Sequence, residues 1–315
     1  MDVSEFLSKC LCLDLEAAKD NIFRIGAVCG ETTFEHKSRS NQVQAFAELD
    51  KMAESASYLL GHNIIDYDLP LLARVAPALK LHKIPVVDTL FLSPLAFPEN
   101  PYHRLVKDYK LVKDSVNNPV ADARLAVTLF QDEWESFAKL KASGHENLLS
   151  LYRFFLSNQL DKDLHSQGFT AVFDNSGVSA LEQDKVLEVI SSTLEGLVCQ
   201  SALMTGMAEW VSNSQTRKAM AYCVAWLRVA GANSVIPPWV RHRFPDVVPV
   251  LKSLRDIPCS RQDCIYCMRT HNPALQLCRY FGFSSFRAKP AGPDGAALQE
   301  AVTLAADTPL LAIMP

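Results

Sequence analysis

Residues 9–16, KCLCLDLE, form an apolar run interrupted by two carboxylates two positions apart. This run and the next, IFRIGAVC at 22–29, are rich in Leu, Ile, Val and Cys, with AAKDN between them. The pattern predicts two strands of a hairpin. Side chains at i and i+2 of a strand lie on one face. Asp14 and Glu16 would then stand together on an otherwise apolar surface, where like charges repel and resist burial. A chain that keeps such a pair needs either a polar sheet edge or a divalent cation to neutralise it.

The rest of the first 140 residues alternates strand and helix signals. Residues 42–57 have helical spacing around Phe46, Leu49 and Met52, and Tyr58 to Gly61 reads as a short buried strand. Leu69 to Ala76 reads as a helix with Pro70 in its first turn, ended by Pro77. Ile84 to Thr89 reads as another strand, 97–118 as a loop rich in Pro, Asn and charge, and Ala121 to Leu140 as an amphipathic helix. Such alternation predicts an α/β domain over residues 1–140. Only helical patterns follow, at 145–161, 178–208 and 214–229, and prolines then mark a connecting stretch with short helices at 231–258. A helical domain is therefore expected over 145–255, a cysteine-rich module over 256–274 and a further segment over 275–315. A length of 315 residues suits this division, at roughly 150 residues per domain.

Charge and cysteine usage narrow the function classes. The formal charge of −4 excludes a uniformly basic nucleic-acid coat, so any contact with nucleic acid must be local. No basic start leads into an apolar stretch, and no apolar run is long enough to span a membrane, so a cytoplasmic chain without membrane association is expected. Of the nine cysteines, Cys259, Cys264 and Cys267 fall within nine residues, which favours a metal over a disulfide.

Two further carboxylates extend the first pair. Asp68 follows Tyr67 in LLGHNIIDYDLPLL, and Asp122 opens the helix of NNPVADARLAVTLF. Each alone reads as a helix cap. Capping does not account for the order Asp-x-Glu on a first strand, Asp after a later strand, and Asp at the start of a late helix.

At these residues the chain resembles the DEDD exonuclease superfamily, which has a ribonuclease H-like fold. LDLE is similar to the first exonuclease motif, GHNIIDYDLPLL to the second in its aromatic–Asp form, and VADARLAVTLF to the third. IPVVDTLFL resembles the Asp-Thr strand between the last two, and the likeness covers about residues 8–135. It implies two Mg²⁺ or Mn²⁺ ions held by Asp14, Glu16, Asp68 and Asp122, and 3′–5′ hydrolysis of single-stranded or 3′-ended DNA, or of RNA. Asp14 would bridge the ions, Glu16 and Asp122 would share one, and Asp68, rather than Asp66, would support the other. Members carry a His five residues, or a Tyr four residues, before the last Asp. Here those positions are Asn117 and Asn118, so water would be oriented by Asn117 or deprotonated by His103 from the preceding loop. Asn63, Arg104, Lys107, Lys110 and Lys113 are the expected contacts to the strand. A non-catalytic DNA-end-binding module is the alternative.

CSRQDCIYCMRTH presents Cys259, Cys264, Cys267 and His271 at the spacing of a structural Zn²⁺ site. Cys278 is an alternative fourth ligand, and C-x4-C-x2-C also occurs around iron–sulfur clusters. Further on, LCRYFGFSSFR resembles the segment that precedes the ATP site of RecQ-family helicases, which implies adenine contacts from Phe281, Phe283, Arg287 and Gln299. The phosphate-binding loop G-x-x-x-x-G-K-[ST] is missing from these residues, so no ATP hydrolysis is expected of them, and a helicase domain is expected to follow in cis.

Overall fold

The computed structural model describes residues 1–18, 21–37, 42–100, 103, 118–157, 163–229, 235–257, 259, 261 and 263–270. Residues 1–194 and 206–251 make one compact unit, and 195–205 with those from 252 onward make another.

The first unit is built on a mixed five-stranded sheet. A short helix α1 (Val3–Leu7) leads into β1 (Cys10–Ala18), β2 (Asn21–Cys29) and β3 (Thr32–His36). After α2 (Gln42–Ala53) come β4 (Tyr58–Gly61), a π-helical turn at Ile64–Asp68, α3 (Leu69–Val75), β5 (Val86–Asp88) and α4 (Thr89–Ala96). The strand order is β3-β2-β1-β4-β5. β1 runs antiparallel to β2 and parallel to β4, β2 is antiparallel to β3, and β4 is parallel to β5. β1 lies between β2 and β4, and its first residues, Cys10, Leu11, Cys12 and Leu13, are all buried. Burial of both faces is why that segment reads as a continuous apolar run.

The long helix α5 (Pro119–Ala142) lies over this sheet. Its Phe130 and Trp134 stack around Phe6 of α1, with ring centroids 5.5 and 5.4 Å away. The start of α5 comes so close to β2 that a Cβ placed on Gly26 would lie 2.3 Å from the backbone of Pro119 and Val120.

Helices α6 (Glu146–Leu156), α7 (Leu164–Asn175), α8 (Val186–Thr193), α9 (Gln200–Ser212), α10 (Ser214–Arg228), α11 (Pro238–Arg243), α12 (Val247–Arg255) and α13 (Ile265–Thr270) follow. The division expected at residue 140 does not coincide with the boundary of the compact unit. α7 crosses β5 at Gly168, where a Cβ would fall 1.9 Å from the carbonyl oxygen of Val86. Phe91 of α4 meets Phe169 of α7, Trp239 of α11 and Phe244, at centroid distances of 6.0, 5.2 and 6.0 Å. Tyr222 of α10 donates its hydroxyl to the Phe91 carbonyl at 3.2 Å. α7, α10 and α11 thus cover β5 and the aromatic face of α4 within the same unit.

Three local departures have physical causes. The helix expected over 178–208 is two helices, separated where Gly196 takes φ +70°, a left-handed conformation that glycine adopts without steric cost. α7 forms in a stretch between the helical patterns at 145–161 and 178–208. β3, TTFEH, is an edge strand with no fully buried residue, so its sequence carries no apolar signal. Among the described residues, no helix is long and apolar enough to cross a membrane.

Candidate metal centre

Asp14 and Glu16 project from one face of β1 at the middle of the sheet, and the register shifts directly after Glu16. Asp14 is opposite Gly26. Because Gly26 has no side chain, the N-terminus of α5 can settle there, which delivers Asp122 from the helix's first turn. Carboxylate oxygens of Asp14, Glu16 and Asp122 all lie within 4.8 Å of one another. The capping reading of Asp122 does not apply. Asn118 is the cap, accepting the Ala121 N–H at 3.2 Å, and Asp122 sits inside the helix, 8 % exposed. The positive end of the helix dipole favours a carboxylate there.

Asp68 is not among the three acids whose oxygens lie within 4.8 Å of one another, but it is held against the same strand. Its Oδ1 accepts the N–H of Leu15, the residue between Asp14 and Glu16, at 3.0 Å. It makes no capping bond to α3, although it stands at that helix's N-cap. Burial, followed by the nearby charge of Asp14, pushes its pKa well above the usual carboxylate range. Asp66 instead pairs with Arg243 at 3.2 Å, partly in solvent. Of the two acids in this turn, Asp68 is the one held against β1.

The turn that presents Asp68 is organised from below. Asn63 takes φ 63°, a left-handed conformation that Asn tolerates better than most residues, and the π-turn closes with the Leu69 N–H on the Ile64 carbonyl. π-Turns inside helices are frequent at functional sites. Asp88, at the end of β5, accepts three backbone N–H groups: Asn63 at 2.8 Å, Ile65 at 3.0 Å and Leu90 at 2.9 Å. It is completely buried. Burial raises its pKa to about 7 against the lowering effect of those three donors. One carboxylate thus fixes both the π-turn and the start of α4, and spacing alone did not reveal this role. Replacing Asp88 with Ala would orphan three donors, each costing about 1–3 kcal/mol where it remains buried. The expected result is a loss of at least about 2 kcal/mol in urea unfolding. Wild-type stability in that variant would show that the turn holds without its anchor.

His103 does not join the carboxylates. It is buried, with Nδ1 2.8 Å from the Ser93 hydroxyl, in a small pocket lined by Pro94, Tyr222, Trp226 and Ile236. Burial depresses its pKa to about 4, so it is neutral at pH 7 but committed to Ser93. Buried and bonded to Ser93, His103 does not stand with the acids as the expected water-activating base would. Asn63, expected to meet the nucleic acid, is half-buried, and its backbone N–H is held by Asp88. Asn117, Arg104, Lys107, Lys110 and Lys113 lie outside the described residues.

The second unit holds a second cluster. Sulfur atoms of Cys199, Cys259, Cys264 and Cys267 all lie within 4.8 Å of one another. Three members are those expected, while the fourth is Cys199, whose N–H donates to the Leu254 carbonyl at 2.8 Å. The ligand expected in its place, His271, lies outside the described residues, as do Cys278, Phe281, Phe283, Arg287 and Gln299. At Cys259, burial raises the thiol pKa, but hydrogen bonds from the Arg261 backbone and from Cys199 and Cys264 outweigh it and bring it down to about 7.

Comparison with protein-family models, curated proteins and solved structures finds no match to this chain.

Proposed function

We propose that this protein is a metal-dependent 3′–5′ exonuclease of the DEDD type with a ribonuclease H-like fold, acting on nucleic-acid phosphodiesters. One observation carries the reading: the carboxylates of Asp14, Glu16 and Asp122 within 4.8 Å of each other, with the buried Asp68 bonded to the backbone between the first two. Hard oxygen donors in that number suit Mg²⁺ or Mn²⁺. Their closeness would be unfavourable without a cation, and the charge of Asp14 adds to burial in raising the pKa of Asp68. A mixed sheet whose central strand bears the first two acids also fits the reading.

A pair of divalent ions held by these acids would supply charge at the scissile phosphate and an activated water. The protein's own contribution is placement. β1 fixes Asp14 and Glu16, the π-turn anchored by Asp88 fixes Asp68, and the close approach of α5 at Gly26 fixes Asp122. Four carboxylates on three elements hold their positions without a flexible loop among them. No His or Tyr stands at the positions from which the superfamily activates water.

The test is cleavage of 3′-labelled single-stranded DNA and RNA with Mg²⁺, with Mn²⁺ and with chelator. Stepwise release of 3′ nucleotides that stops on chelation is expected. Binding of 3′ ends without cleavage would instead identify an end-binding module, and cleavage of RNA alone an RNA exonuclease. The same assay tests the missing base. Asn117→His should raise the rate, since general-base assistance typically contributes about 10²–10⁴-fold. An unchanged rate, alongside robust wild-type activity, would show that another group fills that role. The RecQ-like continuation rests on the sequence resemblance of residues outside the described set, and the helicase domain in cis belongs to the same proposal.

A further inference from the structure

We propose that Cys199, Cys259, Cys264 and Cys267 bind one structural Zn²⁺ as a closed tetrathiolate, with Cys199 and not His271 or Cys278 as the fourth ligand. The dimensions select the metal. A tetrahedron with Zn–S bonds of about 2.3 Å has sulfur–sulfur edges of about 3.8 Å. Mutual sulfur distances within 4.8 Å admit such an ion. A four-iron cluster would hold its thiolates farther apart, because the inorganic core stands between them.

The surroundings match a structural site. Cys199, Cys264 and Cys267 are buried and Cys259 is half-buried, so four protein ligands leave no coordination position for water or substrate. The backbone N–H of Cys259 approaches the Cys267 sulfur at 3.5 Å, the type of outer contact that steadies a thiolate ligand. All four thiols are free of disulfides.

Packing gives the reason for a metal. The buried cluster here consists of Cys199, Cys264, Cys267 and Tyr266, with Ala202 and Cys259 against it. Most of that cluster is thiol, and groups of this kind are ordinarily held by metals or disulfides. The ligands also come from two stretches far apart in sequence, one at Cys199 and one at 259–267. A zinc here would tie the beginning of the 206–251 excursion to its end, which a C-x4-C-x2-C-x3-H site within one short segment could not do.

The experiment is zinc and iron analysis of the purified full chain, with X-ray absorption at the zinc edge. One zinc per chain is expected, in a shell of four sulfurs at about 2.3 Å with no nitrogen near 2.0 Å. Cys199→Ser should lose most of the bound zinc, while His271→Ala and Cys278→Ser keep it. A shell of three sulfurs and one nitrogen, with zinc lost in His271→Ala and retained in Cys199→Ser, would overturn the assignment. Stoichiometric iron with visible absorption would overturn the choice of metal. The absorption measurement on the unaltered protein decides the ligand set even if a variant fails to fold. None of these outcomes depends on nuclease activity.

Discussion

Replacing Asp14 with alanine should abolish 3′-end hydrolysis while the folded protein keeps, or gains, stability without metal. Asp14 is central to the acidic group: within 4.8 Å of Glu16 and Asp122, and the neighbouring charge with the largest effect on Asp68. On the proposed nuclease reading, removing it takes away a cation ligand and leaves the others too few to hold charge at the phosphate. Metal contributions of several kcal/mol to the transition state make the loss at least about 10³-fold. The stability effect has the opposite sign. Asp68 has a raised folded pKa, so the folded state binds more protons than the unfolded one, and its contribution becomes less favourable as pH rises from about 4 toward that folded pKa. Asp14→Ala removes one cause of the shift, so the metal-free variant should lose less stability between about pH 4 and 7 than the wild type. Urea unfolding at several pH values, with and without Mg²⁺, measures this, and Mg²⁺ should stabilise the wild type more than the variant. A cleavage rate within about tenfold of wild type would remove Asp14 from the site.

The second large effect is expected at Gly26. A Cβ there lies 2.3 Å from backbone atoms of Pro119 and Val120, and a backbone cannot move aside as a side-chain tip can. In Gly26→Ala, α5 must lift from β2, carrying Asp122 away from Asp14. Overpacking typically costs about 1–3 kcal/mol, sometimes more. A misplacement of about 1 Å at a reacting centre can cost about 10²-fold. Both losses should appear together, in thermal unfolding and in the cleavage assay. Full stability and rate in Gly26→Ala would mean that the helix start is not held by this contact.

The parts of the site that could be read in the sequence are those encoded locally. Asp14 and Glu16 stand out because period-two geometry puts two charges on one face of an apolar strand, and the order of Asp68 and Asp122 along the chain supplied the rest. Where Asp68 bonds was not legible, since a π-turn has no composition of its own and its anchor, Asp88, comes twenty residues later. Cys199 lay hidden for a similar reason: a lone cysteine far from the others gives no spacing to notice. The helical stretch after residue 145 was recognised as helical, but an amphipathic pattern does not say what its apolar face will meet. α4, TLFLSPLA, was missed because nearly every residue is buried, so no polar face marks its period, and Pro94 sits within it.

The contact of α7 with β5 at Gly168 bears on how this protein can be cut. A fragment ending near residue 140 would retain every carboxylate of the site yet strip the cover from Val86 and from the ring of Phe91. It would carry an exposed apolar flank beside a parallel strand pair, and such surfaces associate with copies of themselves. The shortest soluble carrier of Asp14, Glu16, Asp68 and Asp122 therefore has to extend through α7, α10 and α11, to about residue 251, the end of the compact unit.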